Sequence, residues 1–342
     1  MSKDPAKAFA LKLAADGGRF AAVALAAIGD RLGLFAALRT PATPSELAAR
    51  AGIHERYAEE WLLAMASAGY LHRDGGSYVL PPEHEPVLAG EGGPLFMGGT
   101  LQLLVGMLNA FAPLEHAFRQ GGGVPASAYP ESTWDGMERD MGGIYAAYLA
   151  RSWVPAMPEV LALLERAADV ADVGCGRGRA LIELAKAFPR SRFTGFDAFA
   201  PNVDAARRKA AEAGVPVRFE VADAVRGLPA QFDVIMALDV IHDAPDPLAL
   251  LRSIRAALRP RGRFFSLDPR AADRPEDNDD PLTMIRFGFS VLYCLPASGG
   301  KGLGTLGLTD ARMRQLCREA GFGAVREVDA GGSFHRIYEC AA

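Results

Sequence analysis

The chain has 342 residues, 50% of them hydrophobic, and carries a formal net charge of −4. Its length exceeds that of one ordinary domain, and its apolar content is sufficient for two cores. The net negative charge argues against a protein that binds nucleic acid mainly by electrostatic attraction. No apolar run is long enough to cross a bilayer and the first residues lack a signal-peptide pattern, so we expect a cytoplasmic protein without a membrane partner.

The N-terminal part has the pattern of a winged helix. Apolar spacing predicts a first helix over residues 20–32, and a capping pattern at residues 43–46 starts a second, short helix. A third helix is predicted over residues 54–68. Two short strands around the turn at 74–76 then predict a hairpin. Three helices and a hairpin make a winged-helix domain, which we assign to residues 1–85.

Two functions compete for this domain. A DNA-binding winged helix places its third helix in the major groove and carries basic residues there. Here the third helix begins His-Glu-Arg-Tyr-Ala-Glu-Glu, with three acids to one arginine. The phosphates of DNA would repel this negatively charged surface. The first helix is apolar between Ala21 and Ile28, which suits burial in an interface between two copies of the chain. We therefore favour homodimerisation over DNA binding.

A helical connector with frequent glycines is predicted over residues 86–168. Its last part places Tyr145 and Tyr148 about one helical turn apart, so that the two rings share a face. These two rings and Trp153 allow two interpretations. They can be ordinary packing residues, or they can line the cofactor and acceptor sites, where aromatic faces attract a cationic ligand. We expect Tyr145 to contact the cofactor, and Tyr148 and Trp153 to line an acceptor pocket.

Residues 170–178, Val-Ala-Asp-Val-Gly-Cys-Gly-Arg-Gly, predict a buried strand that enters a glycine-rich turn before a helix. Gly174, Cys175 and Gly176 are small, so a nucleotide-like ligand can approach the backbone closely. The GxGxG spacing differs from the GxGxxG of dinucleotide folds, and Asp172 would repel a pyrophosphate. S-adenosylmethionine (SAM) has no phosphate and carries a sulfonium and an ammonium group, so SAM fits this site better than NAD.

Three further strands are predicted, at residues 192–197, 217–223 and 232–238, and each has a carboxylate at or just beyond its end. Asp197 follows the second strand of this region, where an acid can accept both ribose hydroxyls. Asp223 follows the third strand and is placed to meet the adenine amino group, and Asp239 follows the fourth. The carboxyl ends of parallel strands share one edge of a sheet, so these acids are expected to converge on one crevice. The residues that complete the predicted cofactor site are Ala198, Ala224 and Leu238.

Over residues 150–342 these motifs resemble the class I SAM-dependent methyltransferases. His242-Asp243, after the fourth strand, is similar to the His-Asp pair of small-molecule O-methyltransferases that carry an N-terminal winged helix. The turn at 258–262 is similar to the one before that family's fifth strand, and the whole chain looks like actinobacterial two-domain methyltransferases. The resemblance implies that His242 is the general base, with Asp243 beside it, and that the first domain mediates dimerisation. Ala244 departs from the tryptophan that commonly follows the pair.

A hydroxyl acceptor needs a base, and histidine, with its ordinary pKa near neutrality, suits that task. A lone histidine is more often structural, and His335 and His116 are alternative bases. C- or N-methylation stays open. The four cysteines include no CxxC pair, so we expect neither a zinc site nor a disulfide framework. No Asp-Asn pair completes a magnesium site, although another divalent metal at Asp239, Asp268 and His242 stays open.

The C-terminal part completes the predicted fold. The apolar segment 284–295 resembles an insertion that builds the substrate pocket in related enzymes, with Phe287 and Tyr293 as its lining. Glycine-rich residues 299–308 are a candidate lid. A last helix and two antiparallel strands follow. The predicted class is α/β, with a Rossmann-like seven-stranded methyltransferase sheet in residues 169–342 and an α-rich winged-helix domain before it.

Two functional hypotheses follow. The first is a methyltransferase that moves a methyl group from SAM to a small-molecule acceptor by in-line displacement, with O-methylation favoured. The second is a SAM-responsive winged-helix regulator without turnover. The His-Asp pair and the apolar segment 284–295 favour the enzyme, because a sensor needs no acceptor pocket.

Overall fold

The computed structural model describes residues 4–329 and 334–342, so the first three residues of the N-terminal segment lie outside the described part. The chain forms two compact units. Unit 1 comprises Met1–Gly106 and Ser132–Ile144, and unit 2 comprises Met107–Glu131 and Tyr145–Ala342. The segment 86–168 is thus shared between the units, and the functional bounds 1–85, 86–168 and 169–342 stay a prediction.

The helices and strands are numbered in chain order. The helices are α1 (Pro5–Arg31), α2 (Leu34–Ala37), α3 (Pro44–Ala51), α4 (Glu55–Ser67), α5 (Glu85–Leu88), α6 (Gly98–Met107), α7 (Phe111–Gln120), α8 (Glu131–Ile144), α9 (Pro158–Glu165), α10 (Arg179–Ala187), α11 (Ala200–Glu212), α12 (Pro247–Ala257), α13 (Thr283–Phe289), α14 (Leu295–Ala297) and α15 (Asp310–Glu319), with π-helices at Tyr145–Trp153 and Ser290–Cys294. The strands are β1 (His72–Asp74), β2 (Ser77–Val79), β3 (Asp169–Val173), β4 (Arg192–Asp197), β5 (Val217–Val221), β6 (Phe232–Leu238), β7 (Leu258–Pro269), β8 (Val325–Val328) and β9 (His335–Ala341).

Unit 1 contains the predicted three helices and hairpin, and the capping pattern is a true capping box. Thr43 Oγ1 accepts from the Glu46 N–H, and the Glu46 carboxylate accepts from the Thr43 N–H. The first helix is much longer than predicted, because α1 starts at Pro5 behind an Asp4 cap. The β1–β2 pair is antiparallel.

An ion pair ties α8 into unit 1, although α8 lies far from α1 in the sequence. The Arg139 guanidinium donates two hydrogen bonds to the Asp30 carboxylate, at 2.8 and 2.9 Å. It also donates to Gln102 at 2.6 Å. A bidentate pair of this kind fixes orientation as well as distance. Sequence patterning predicted this helical region but carried no signal for this long-range partner.

Unit 2 is built on the predicted seven-stranded sheet, with strand order β5-β4-β3-β6-β7-β9-β8. The first five strands are parallel, while β9 runs antiparallel between β7 and β8. β7 begins at Leu258, before the predicted start at residue 263, and Arg261 takes a left-handed φ of 70° within it. The strand order reverses direction between β3 and β6, and ligands bind beyond the carboxyl ends of strands at such a switch point.

The central strand β6 is buried, with Val234, Ile235, Met236 and Ala237 wholly out of contact with solvent. This near-continuous apolar run is typical of a parallel strand covered by helices on both faces. None of the helices within 4–329 and 334–342 combines the length and apolar character that a bilayer span requires.

Gly29 in α1 supplies a test of the packing in unit 1. A Cβ atom at Gly29 would lie 2.3 Å from Trp61 Cζ2, whose ring also meets Phe35 edge to face. We expect Gly29→Ala to lower the free energy of unfolding by about 1–3 kcal/mol through overpacking. Thermal and denaturant unfolding measure this loss of stability.

The matched control is Gly18→Ala on the same helix, where a Cβ would meet nothing within 4 Å. That change should stabilise the chain by roughly 0.5–1 kcal/mol through helix propensity. Equal effects of the two substitutions would contradict the contact between α1 and Trp61.

Candidate cofactor and catalytic site

The glycine-rich turn after β3 has the backbone that only glycine adopts easily. Gly174, Gly176 and Gly178 have φ values of 71°, 52° and 79°. A Cβ at Gly174 would lie 2.5 Å from Val240 Cγ2, so this glycine also permits close packing against the end of β6. A Cβ at Gly176 would meet nothing within 4 Å. The loop therefore presents bare backbone to open space at its centre.

Asp197, at the end of β4, braces this loop. Its carboxylate accepts from the Gly176 N–H at 2.9 Å and from the Phe199 N–H at 2.8 Å. Burial raises the pKa of Asp197, and these two N–H donors only partly offset that effect. A carboxylate has about four lone-pair positions, so it can still accept from ligand hydroxyls.

Asp172 is the least compensated charge of the site. It is 2% exposed, and its Oδ1 atom has no hydrogen-bond partner among the described residues. Burial, and then the charge of Asp197, hold the pKa of Asp172 well above its ordinary value. A buried carboxylate without a partner is costly unless a cation or a donor reaches it. The position therefore suits a cationic group of a ligand.

The other predicted cofactor residues have mixed surroundings. Asp223 is exposed, and its carboxylate caps the turn Ala224–Arg226 by accepting from the Val225 N–H at 3.1 Å. Ala224 is buried and Ala198 is exposed. Cys175 is buried, and its sulfur lies 2.7 Å from where a Cβ at Gly195 would be, so a small residue is required in β4. The structure shows the capping role of Asp223 and leaves an adenine contact as a prediction.

Asp239 follows the buried Leu238 at the end of β6, with an unusual backbone. It is a non-glycine residue with a left-handed φ of 58°. One carboxylate oxygen lies 3.3 Å from His335 Nε2, and the other has no hydrogen-bond partner within the described residues. Such strain is concentrated at functional sites. His335 is therefore engaged by Asp239, at the same sheet edge as Asp172 and Asp197.

His242 is held between two carboxylates. Its Nδ1 lies 2.8 Å from Asp268 Oδ1, and its Nε2 lies 3.1 Å from Asp243 Oδ1. The ring is 3% exposed. Burial lowers the pKa of His242, but the charges and hydrogen bonds of Asp243, Asp268 and Cys294 together outweigh it and hold the pKa well above its usual range. The acid on Nδ1 is thus Asp268, at the far end of β7, and Asp243 faces the other ring nitrogen.

Two groups of this part of unit 2 were not predicted from the sequence, Cys294 beside His242 and Tyr129 against Tyr293. Cys294 is buried, and Thr305 Oγ1 donates to its sulfur at 3.2 Å. Tyr129 packs edge to face on Tyr293 with ring centroids 5.3 Å apart, and donates to the Leu292 carbonyl. These residues come from segments distant in sequence, so no local motif marks them.

The predicted acceptor lining and lid are structured as follows. Tyr148 stacks on the buried Trp153 with centroids 6.4 Å apart, and Tyr145 meets the same ring edge to face. Phe287 is exposed on α13.

Residues 299–308 are anchored rather than free, because the N–H groups of two of them donate to the His242 carbonyl at 3.0 and 3.2 Å. Burial, then the charges of acids that include Asp243 and Asp197, raise the pKa of Tyr293 well above its usual range.

Comparison with known proteins supports two domains. Residues 171–264 match the family of methyltransferase domains, and residues 21–89 match the Rv2258c-like winged HTH domain. A ubiquinone biosynthesis O-methyltransferase of Methylobacterium sp. (strain 4-46) is 35% identical over 114 residues, which are 33% of this chain and 43% of that protein. The chain therefore spans about two fifths of the length of this relative.

Solved structures with the same fold extend over nearly the whole chain. An O-methyltransferase family protein from Burkholderia thailandensis matches with a TM-score of 0.71 and 19% identity, covering 97% of both chains. Human N-acetylserotonin methyltransferase, solved with SAM, matches with a TM-score of 0.72 and 20% identity, covering 99% of this chain and 98% of that one. At such identities the likeness shows the fold.

The glycine loop, its acids and His242 all lie within the matched methyltransferase region. The prediction of SAM as cofactor is confirmed at the level of the domain, since this is the molecule that the methyltransferase domain uses. The chain therefore combines a methyltransferase domain with an N-terminal winged HTH domain.

Proposed function

We propose that this protein transfers a methyl group from SAM to a hydroxyl group of a small molecule, with His242 as general base. The observation that carries the proposal is the buried, unpartnered Asp172 beside a glycine loop that opens onto free space at Gly176. This combination at the switch point of the sheet fits a ligand that is cationic and nucleoside-like. O-methylation is favoured because the curated relative is an O-methyltransferase.

Each acid of the proposed cofactor site interacts with a different part of SAM. Asp172 attracts its cationic methionyl part, Asp197 accepts from its ribose hydroxyls, and Asp223 accepts from its adenine amino group. Leu238 and Tyr145 supply apolar surface. SAM, when bound, supplies a methyl group on a positive sulfur that is already a good leaving group. The protein then needs mainly to align the acceptor and exclude water.

His242 supplies the proton acceptor. Its Nδ1–H donates to Asp268, so loss of the other ring proton leaves the lone pair on Nε2, and the raised pKa of His242 makes that neutral form a strong base. Nε2 takes the proton of the acceptor hydroxyl on the side where Asp243 lies, and the imidazolium that forms is stabilised by both carboxylates. Asp268 is a positioning residue in this scheme, since it acts through the ring of His242.

Aromatic side chains support an apolar, ring-containing acceptor. Tyr293 packs against Tyr129, and the charges of Asp197 and Asp243 both act on it. Tyr293 therefore lies in the field of the proposed cofactor acid and of the acid beside the base. Phe287, exposed on α13, is the other predicted lining residue of the same segment 284–295. Such lining binds flat apolar molecules and leaves their polar groups to the acids.

The winged helix is proposed to join two copies of the chain. Ala26 and Ala27 are buried in unit 1 itself, so the partner surface lies elsewhere on α1. Phe9, Leu13 and Phe20 share one face of α1 and are 64%, 62% and 56% exposed. DNA binding is disfavoured because Arg56, the one basic residue at the start of α4, is paired with Glu59 and Glu60.

A cytoplasmic location completes the proposal. All four cysteines are free and buried, which suits a reducing compartment.

The buried Asp172 predicts opposite effects on stability and on cofactor binding. Its pKa in the folded chain lies above the ordinary 3.8, so the ionised carboxylate costs stability at every pH above that value. Asp197 and Cys175 are the titratable groups that face it. We expect Asp172→Asn to raise the melting temperature at neutral pH and to weaken SAM binding by roughly 10- to 100-fold. Thermal unfolding between about pH 4 and pH 8 and calorimetry measure these two effects.

Asp204→Asn is the control, because Asp204 is an exposed carboxylate on α11. It should leave both quantities nearly unchanged. A loss of stability in Asp172→Asn together with unaltered SAM affinity would reject the proposed role.

The role of His242 is tested by turnover. Mass spectrometry of a cell extract incubated with the protein and methyl-labelled SAM identifies the product. With that acceptor, His242→Ala should lower kcat by about 10²–10⁴-fold. Asp268→Asn should lower kcat while the KM for SAM stays close to that of the unchanged protein. His116→Ala, an exposed histidine on α7, is the matched control. Full turnover by His242→Ala would disprove the base assignment.

The apolar face of α1 predicts the oligomeric state. Light scattering should give a dimer for the unchanged chain and a monomer for the double variant Phe9→Glu, Phe20→Glu, since two charges on that face cannot be buried. Arg19→Glu, which changes an exposed polar position of α1, should remain dimeric. A monomer for the unchanged chain would contradict the proposal.

A further inference from the structure

Three electron-pair donors meet beside His242. They are His242 Nε2, Asp243 Oδ1 and Cys294 Sγ, which all lie within 4.8 Å of one another. His242 and Cys294 are buried, and Asp243 Oδ1 is also buried, with His242 Nε2 3.1 Å away. Donors that face each other in a site of low dielectric repel unless a positive charge lies between them.

The surroundings of these donors favour metal ligation. Asp268 binds Nδ1 of His242 at 2.8 Å, and a histidine that ligates a metal usually donates its other ring N–H to a carboxylate in this way. Thr305 Oγ1 donates to Cys294 Sγ at 3.2 Å, an interaction that stabilises a thiolate. Two of the three donors are therefore already oriented by neighbours.

We propose that His242, Asp243 and Cys294 form a binding site for a divalent cation of the zinc and cobalt class. Histidine nitrogen, cysteine sulfur and carboxylate oxygen are all zinc ligands, and three protein ligands leave a fourth position for water. The thiolate disfavours magnesium and calcium, which take oxygen ligands. The donor atoms all lie within 4.8 Å of one another, and side-chain rotation can bring them to the separation of roughly 3.5 Å that ligands have around a tetrahedral zinc ion.

This site departs from the expectation that the chain has no zinc site. That expectation rested on cysteine spacing, whereas these ligands come from a turn after β6 and from a π-helix 51 residues further on. An ion on Nε2 would occupy the lone pair that the proposed base uses, so ion binding and base catalysis exclude each other at that atom. This consequence rests on the proposed function, whereas ion binding does not.

Metal binding is tested on the full chain without cofactor. Addition of Co²⁺ to metal-free protein should give one thiolate-to-cobalt charge-transfer band that saturates at one ion per chain. X-ray absorption of the zinc form should show one sulfur at about 2.3 Å and nitrogen or oxygen ligands at about 2.0–2.1 Å. Cys294→Ser should abolish the band, and His242→Ala should weaken Co²⁺ binding at least tenfold. Cys317→Ser, which changes a buried cysteine elsewhere in unit 2, should keep the charge-transfer band.

Absence of the charge-transfer band, its survival in Cys294→Ser, or a zinc spectrum without sulfur would each overturn the proposal. Circular dichroism checks that the variants are folded. If Cys294→Ser does not fold, the X-ray absorption spectrum of the unchanged protein takes its place as the test, because it shows directly whether a sulfur atom ligates the zinc. Calorimetry with SAM is run separately on the metal-free chain. Failure of SAM to bind would count against the proposed function and would leave the cobalt result standing.

Discussion

The turn after β3 constrains everything built around it. Gly174 takes a left-handed backbone and comes so close to Val240 that no side chain fits between them. That contact draws the segment after β6, with Asp239 and His242, against the loop. Asp197 then ties the loop to β4 through the Gly176 N–H. The glycine-rich turn is thus in contact with the ends of both strands that pair with β3, which are β4 and β6.

The same edge collects several buried acids, whose charge His242 and His335 offset only in part. Asp172, Asp239, Asp243 and Asp268 each have a buried carboxylate oxygen without a hydrogen-bond partner among the described residues. Burial raises the pKa of Asp268 to about 6, although His242 opposes this shift. A fold that retains so many uncompensated acids in one place is arranged for positively charged partners, whether a sulfonium, a proton or a metal ion.

Sequence reasoning predicted the sheet well, because parallel strands in an α/β fold are apolar runs that end in turns and acids. β4 and β6 were predicted with the same limits that the structure shows. The start of α1 was missed because its first turns bury no apolar face within the chain, as Phe9 and Leu13 show. For such a helix, hydrophobic periodicity carries no intramolecular signal.

The unpredicted parts of the candidate site depend on contacts between distant segments. Cys294 reaches His242 through a π-helix, and Asp268 reaches it from the next strand, so neither has a fixed spacing from the His-Asp pair. Asp223, whose contact with adenine stays a prediction, makes a local capping hydrogen bond to the Val225 N–H. Spacing identifies ligands within one turn, but not those that tertiary packing assembles.

The uncompensated Asp172 has a consequence for the life of the protein in a cell. A ligand that neutralises a buried charge binds the native chain and not the unfolded one, so it shifts the folding equilibrium by mass action. The population of unfolded chains open to proteases then falls as the ligand becomes abundant and rises when it is scarce. With SAM bound at Asp172 as proposed, the amount of this protein follows the cell's supply of SAM without any change in synthesis.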